Sequence, residues 1–292
     1  MPDPIEIIPF TADHLDGAVV LSKEAGWPHR REDWDLSRIL SHGFVATDGH
    51  RVLGTIFATP LDDRAATINM VIVDASLRGQ GIGKRLMATA IDATEGRECR
   101  LVATQDGLPL YEKLGFERTG EVLQHQGPLS IAGLSSPSPD LGPDLGEVDW
   151  ATTTDHQAIR TLDRDAHGLE RIALLDALEQ VGRLAVLRRN GLPVGYACLR
   201  PFGRGEVVGP VIAGTLEEAK ALITFLLAPR ETAFIRVDTD RDSGLAPWLE
   251  SLGLSHVGGG VRMTRPATTT PPLPARTAAT HRVFALVSQA LG

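Results

Sequence analysis

Apolar residues fall into two series of short runs, divided by a stretch rich in Pro, Ser and Gly. In the first series Ile5-Glu6-Ile7-Ile8 predicts a strand, and Ala12 to Ala25 predicts a helix with Thr11 as its cap. Phe44-Val45-Ala46 and Val52 to Phe57 flank Asp48-Gly49, the signal of a hairpin. Ala66 to Val73 reads as a further strand, after which Ile82, Leu86, Ala90 and Ile91 recur at helical spacing. Cys99 to Ala103 predicts a short strand. Pro109 and Gly115 bracket a helix of about two turns, because proline suits a first turn and glycine the position past the end. Glu117 to Leu123 predicts the closing strand.

The second series repeats the first. Leu184 to Leu187 and Val194 to Ala197 flank Asn190-Gly191, Val207 to Val211 and Thr232 to Val237 predict two more strands, and Pro247 to Leu254 repeats Pro109 to Phe116. Val73 to Pro109 and Val211 to Pro247 span 36 positions each, so one offset of 138 aligns both regions. The chain therefore reads as two copies of one fold: residues 1–127, a linker over 128–147, a second copy over 148–265 and an extended arm over 266–292. Within that arm Val283 to Leu291 predicts one short helix.

Composition narrows the function classes. Of 292 residues, 42% are hydrophobic and 23% charged, as in soluble globular proteins, and no apolar run is long enough for a membrane span. The net charge of −8 argues against nucleic-acid binding. No secretory leader is visible, and Cys99 and Cys198 sit in separate strand-like runs, so a reduced cytoplasmic protein is expected. The nine histidines are scattered, with no metal-ligand spacing, so no metal is expected. Oligomeric state stays open between monomer and homodimer.

The chemistry concentrates at Arg78-Gly79-Gln80-Gly81-Ile82-Gly83-Lys84, which follows the Ala66–Val73 strand and opens a helix. Glycines there permit a tight turn whose amides converge, and the helix adds unpaired N–H groups and the positive end of its dipole. Such a nest binds anions, most often phosphate. A nucleotide P-loop is excluded, because Arg78 and Arg85 stand where its first glycine and its Ser/Thr belong; a dinucleotide fingerprint is excluded by Lys84 at its third glycine. The spacing R-x-x-G-x-G at Arg78, Gly81 and Gly83 resembles the pyrophosphate loop of the GNAT acetyltransferase superfamily. Gly107 to Phe116 resembles that family's later motif, with Tyr111 at its tyrosine, Thr104 at its asparagine and Gly107 at its alanine.

That resemblance implies an α/β (α+β) fold of two tandem GNAT-like domains, each a mixed, mostly antiparallel sheet flanked by helices. It implies acetyl-CoA as cosubstrate, held by Val71, Ile72, Val73, Thr104 and the loop from Arg78 through Gly79, Gln80, Gly81, Ile82 and Gly83 to Lys84. It implies acetylation of a primary amine by direct attack, with the Val71 amide on the acetyl carbonyl and Tyr111 protonating the departing sulfur. The family's fourth-strand glutamate is missing from Thr67-Ile68-Asn69-Met70, leaving Asp74, Asp106, His29 and Glu24 as candidate bases. Trp27, His29 and Trp34 are the expected wall of a pocket for a small-molecule amine; packing between two helices is the competing reading of that segment. Asp163 to Arg171 could face the same pocket, or form a polar loop before a helix starting near Leu169. Acetylation of a protein N-terminus or lysine, and a noncatalytic acetyl-CoA sensor, are the alternatives. At the offset of 138 Gly79-Gln80 map to Glu217-Glu218, Gly81 and Gly83 to Ala219 and Ala221, and Tyr111 to Leu249, so the second copy is expected to lack the coenzyme site.

Overall fold

The structure, a computed structural model, describes residues 4–130, 145–230, 232–269 and 279–292. Most of the expected linker, and the proline-rich part of the expected arm, lie outside those residues.

The first half runs β1 (Glu6–Pro9), α1 (Leu15–Glu24), α2 (Arg31–Ile39), β2 (His42–Thr47), β3 (Val52–Pro60), β4 (Ala65–Val73), α3 (Ile82–Asp92), β5 (Glu98–Ala103), α4 (Leu108–Lys113) and β6 (Glu117–Pro128). The second repeats it as β7 (Glu147–Trp150), α5 (His156–His167), α6 (Ile172–Val181), β8 (Arg183–Arg189), β9 (Leu192–Phe202), β10 (Gly205–Ala213), α7 (Leu216–Leu227), β11 (Phe234–Asp240), α8 (Ala246–Ser251) and β12 (Ser255–Arg265), and adds β13 (Arg282–Ala285). Pairing is antiparallel except at β4–β5 and β10–β11. The internal repeat extends to a bulge: two residues of β4 oppose Ile56, and Gly209-Pro210 of β10 oppose Cys198. One expectation is corrected here. Asp163 to His167 closes α5 instead of forming a loop, because Gly168 in the left-handed conformation stops that helix and the next begins only at Ile172.

The two sheets fuse into one of thirteen strands by exchanging their last members. The order β5-β12-β6-β11 places the second half's β12 beside the first half's β5, and the first half's β6 beside the second half's β11. Gly258-Gly259-Gly260 permits the insertion: a Cβ at Gly259 would lie 1.9 Å from the Val122 carbonyl oxygen, and one at Gly260 2.5 Å from Val102. Val261 and Met263 of β12 thus enter the first half's core with Leu101 and Phe116. Leu129, just past β6, enters the second half's core with Leu252 and Leu254. Each buried side chain of this size contributes about 1.5–3 kcal/mol that separation of the halves would forfeit.

The C-terminal segment also departs from expectation. Instead of a helix over 283–291, β13 inserts between β10 and β11, pairing Val211, Ile212 and Ala213 on one side and Thr239 on the other. β10 and β11 pair directly only at Glu206–Val207 with Ile235–Arg236, and β13 closes the gap beyond. Phe284 and Ala285 are buried in that core, a burial that an isolated helix could not supply.

Candidate functional site

In the first half no strand of the described residues fills the corresponding gap. β4 and β5 pair from Ala65 to Thr67 with Glu98 to Arg100 and then diverge. Eight residues, Asp74 to Gly81, join β4 to α3. Gly79 and Gly81 take φ of +79° and +83°, a conformation that favours glycine, and a Cβ at either would meet no atom within 4 Å. Gly81 is the N-cap of α3 and offers no side-chain bond, so the amides of Ile82, Gly83 and Lys84 have no intrahelical acceptor. Arg78 and Lys84 flank the nest, with Arg78 Nη1 3.9 Å from the exposed Asp106 carboxylate. The residues present fit a diphosphate: open space, converging donors and a cationic rim.

Where β4 and β5 diverge, a cavity of about 270 Å³ opens, lined by Met70 and Val71 of β4, Leu101 and Val102 of β5, Thr104 and Tyr111. Met70 takes φ of +51° at the bulge, which turns the backbone just before Val71. Tyr111 sits on the first-half core, edge-on to Phe116, and burial pushes its phenol up to about 12, so it stays protonated throughout the neutral range. Gly107 explains itself here: a Cβ at that position would lie 2.6 Å from the Tyr111 ring. The glycine that departs from the family motif makes room for the tyrosine.

The same cavity takes in the expected acceptor wall. Trp27, Pro28 and His29 line it, His29 packing against Trp27 at 5.5 Å and Phe202 at 5.3 Å. Burial, then the charge of Arg236, depresses His29 to about 4 against the opposing pull of Asp33, so its ring is neutral. His29 Nδ1 is buried and has no hydrogen-bond partner among the described residues. Trp34 is the exception to the expected wall. It is fully buried, its indole N–H bonds Ser22 Oγ and its ring packs edge-on to Phe57, so it belongs to the core beneath the wall.

Of the other candidate bases, Asp74 is held low by the Ser76 hydroxyl and amide, Asp106 faces Arg78, and Glu24 is exposed at the end of α1; none of the three lines the cavity. Both cysteine thiols are buried and raised, Cys198 to about 12, which makes them poor nucleophiles. Among the described residues no cluster of His, Cys, Asp or Glu could hold a metal, and no helix is long and apolar enough to cross a membrane.

Several lining residues were not anticipated. Asn69 of β4 donates its amide to Thr59 Oγ1 at 2.8 Å, which leaves its buried Oδ1 without a partner at the cavity. Phe202, Arg204 and Arg236 come from the second half, Gln124 and Gln126 from β6, and Gln289 from beyond β13. Asn69 has a signal in the sequence, an amide inside an apolar strand run. The others reach the cavity through strand exchange, which a one-dimensional pattern does not record.

In the second half two features occupy the equivalent positions. Only Gly214 and Thr215 join β10 to α7, so the nest is deleted and not merely substituted. Correspondence by helix start pairs Gly81 with Thr215 and Lys84 with Glu218, which corrects the mapping at a constant offset of 138. Glu218 folds back onto the helix start, accepting the amides of Gly214 at 2.8 Å and Thr215 at 3.1 Å and pairing with Arg189. Thr215 Oγ1 accepts the Glu218 amide, completing a capping box. The Glu218 carboxylate thus sits among the donors itself. β13 fills the adjoining cleft.

Comparison with known proteins agrees with this duplication. Residues 40–118 and residues 159–276 each match a family described as an acetyltransferase (GNAT) domain. The chain is 29% identical over 235 residues to the uncharacterised N-acetyltransferase YitH of Bacillus subtilis (strain 168), covering 77% of this chain and 79% of that protein. Among solved structures, a proposed acetyltransferase from Pyrococcus horikoshii aligns over 99% of this chain and 96% of its own, with a TM-score of 0.77 at 16% identity. A tandem GNAT protein of the clavulanic acid biosynthesis pathway aligns over 92% and 100%, with a TM-score of 0.63 at 17% identity. At these identities the structural likenesses speak to the fold alone.

Proposed function

We propose that this chain, which belongs to the GNAT acetyltransferase superfamily as two tandem domains, transfers an acetyl group from acetyl-CoA to the primary amine of a small molecule within a ternary complex. The observation that carries the reading is one cavity. It joins the β4–β5 divergence, with Val71 and Tyr111, to Trp27 and His29 of the first half and Phe202 of the second. Its volume of about 270 Å³ is on the scale of a small-molecule site.

Arg78, Lys84 and the amides from Gly79 to Lys84 would hold the diphosphate, with Val71 to Val73 and Thr104 along the pantetheine arm. The acceptor nitrogen attacks the acetyl carbonyl carbon, and the Val71 amide supports the charge that develops on oxygen. The carbon–sulfur bond then breaks, Tyr111 donates its proton to the departing sulfur, and the proton lost by the amine passes to solvent water in the open cavity, from which Tyr111 is reprotonated. The products are the N-acetyl amine and the free thiol. His29, neutral and weakly basic, accepts a hydrogen bond from the amine and does not store its proton. Tyr111 keeps its proton to about pH 11, so its ionisation puts no fall in rate below that pH.

Thiol release from acetyl-CoA across a panel of amines tests the assignment. Tyr111→Phe should lower kcat by roughly 10²-fold or more while leaving the acetyl-CoA Kd within about twofold. Tight acetyl-CoA binding without turnover on any amine would turn the reading toward a sensor, and no binding at all would end it.

A further inference from the structure

The acceptor end of the cavity carries a charge pattern that the transfer reading does not use. Among the described residues no carboxylate lines it, whereas Arg204 stands exposed beside it and Arg236 enters its wall. Arg236 places both Nε and Nη2 on the fully buried Asp238, each at 2.9 Å, which leaves Nη1 for an acceptor, and Gln289 donates to the same carboxylate. Two guanidiniums approach the Phe202 ring, Arg236 at 5.1 Å and Arg200 at 4.8 Å from its centre. Arg200 is itself 2% exposed, and its Nε has no hydrogen-bond partner among the described residues. Its nearest carboxylate, Asp33 at 3.8 Å, is already engaged by Arg30 and by the Gly203 amide. Asp33 and Asp238 are thus outnumbered by Arg30, Arg200, Arg204 and Arg236. The depression of His29 reports the same excess, since after burial the Arg236 charge is its largest cause.

Toward the β4 end the pattern inverts. Among the described residues the buried Asn69 Oδ1 has no donor and the buried His29 Nδ1 has no partner of either kind, and each such group costs about 1–3 kcal/mol unless a ligand satisfies it. A neutral amine brings one N–H for Asn69 Oδ1 and a second for His29 Nδ1 in the tautomer that carries its proton on Nε2.

Resting on the acetyl-transfer reading, we propose that the acceptor is a small anionic amine. Its nitrogen is held by Asn69 Oδ1 and His29 Nδ1, and its carboxylate or phosphate is held by Arg204 and Arg236. A polyamine or other purely cationic acceptor meets no counter-charge here and is disfavoured by the surrounding guanidiniums. The second half thereby gains a role beyond covering the site: it supplies both arginines that read the acceptor.

Steady-state rates at saturating acetyl-CoA separate the cases. The anionic arms are free L-amino acids for carboxylate and O-phosphorylated amino alcohols for phosphate. The controls are the carboxamides of the same amino acids and linear polyamines. At least one anionic amine should exceed its uncharged counterpart in kcat/KM by about tenfold, the effect of one charge-assisted hydrogen bond. Arg204→Glu, at an exposed position that folding tolerates, should raise the KM of that acceptor about tenfold and leave the acetyl-CoA KM within about twofold. Arg236→Lys serves as the second variant, because it keeps a partner for Asp238, and should also raise the acceptor KM. Carboxamides or polyamines used as well as the anionic amines would overturn the proposal while acetyl transfer stands, as would an Arg204→Glu effect confined to acetyl-CoA. Absence of turnover on every arm would instead remove the transfer reading, and this inference with it.

Discussion

The chain builds the same strand-to-helix junction twice and uses it in opposite ways. Before α3 a long glycine turn leaves the helix N-terminus open and donor-rich; before α7 a two-residue turn lets Glu218 fold back onto the turn's own amides, those of Gly214 and Thr215. The neighbouring clefts follow suit, open between β4 and β5 and filled by β13 between β10 and β11. A scaffold whose diverging strands and helix start favour an anionic, extended ligand has two ways to be stable. It can bind that ligand, or it can supply a carboxylate and a strand of its own. The second half has taken the latter course, and so serves as wall and support for the first.

The largest effect should come from importing the second solution into the first site. Gly81→Glu places a carboxylate and a Cβ at a left-handed position in the open nest, and should weaken acetyl-CoA binding by more than about 100-fold, measured by calorimetry. Glu218→Gln in the second half should leave that Kd within about twofold. Equal losses from the two would break the comparison. Ala219→Glu is no proper control, because Ala219 is fully buried on α7 and a charge there tests folding.

A smaller effect should follow from Gly107→Ala. The new methyl must displace the Tyr111 ring, so kcat should fall about tenfold with acetyl-CoA affinity nearly unchanged. At the matching junction before α8, Leu245 occupies the N-cap and Leu249 the tyrosine's place, both buried as core. An unchanged kcat would show that the tyrosine position is not what Gly107 protects.

How much of this was legible in the sequence follows from what a linear pattern encodes. The nest, Tyr111 and the doubling were readable because each rests on contiguous spacing: glycines before a helix, Pro109 and Gly115 around a short one, and Pro247 with Gly253 repeating them. The offset of 138 holds at α4 and α8 but not at the loops. The shorter turn before α7 is offset by a longer helix, a longer strand and longer turns after it, and a single register hides such compensation. Strand exchange was not readable, since alternation tells which face a residue takes and not which strand lies beside it. Residues 283–291 read as a short helix in sequence, and the gap between β10 and β11 overrides that reading by taking 282–285 as a strand. Trp34 looked like Trp27 in sequence and differs only in depth.

A further contrast between the halves concerns acid. His29 is depressed to about 4 at the open site, below its ordinary 6.5. The unfolded chain therefore binds this proton more readily, so the contribution is complete above pH 6.5 and is lost as pH falls from there toward 4, by about 3 kcal/mol in all. In the second half Asp163, where burial is outweighed by the Arg171 charge and hydrogen bonds, is held at about 2 and loses its contribution only from about pH 4 downward. Denaturant titrations across pH should show two separate acid losses, and His29→Gln should flatten the upper one. If the upper loss persists in that variant, His29 is not its source.

The smallest effect is also the sharpest test of the second half. Glu218→Ala removes the carboxylate that caps α7 and should cost about 1–2 kcal/mol, a capping loss visible as a modest fall in Tm. The variant would then hold vacant donors at a helix start. If this junction is an anion site occupied from within, tens of millimolar sulfate should stabilise the variant more than the wild type. The difference is the quantity to read, because sulfate raises the stability of folded proteins in general. Equal stabilisation of both would mean that Glu218 is an ordinary cap and that the short turn abolished anion binding by itself. A larger gain in the variant would mean that the scaffold kept its preference for an anion at this place after losing the glycines, and met it with a side chain.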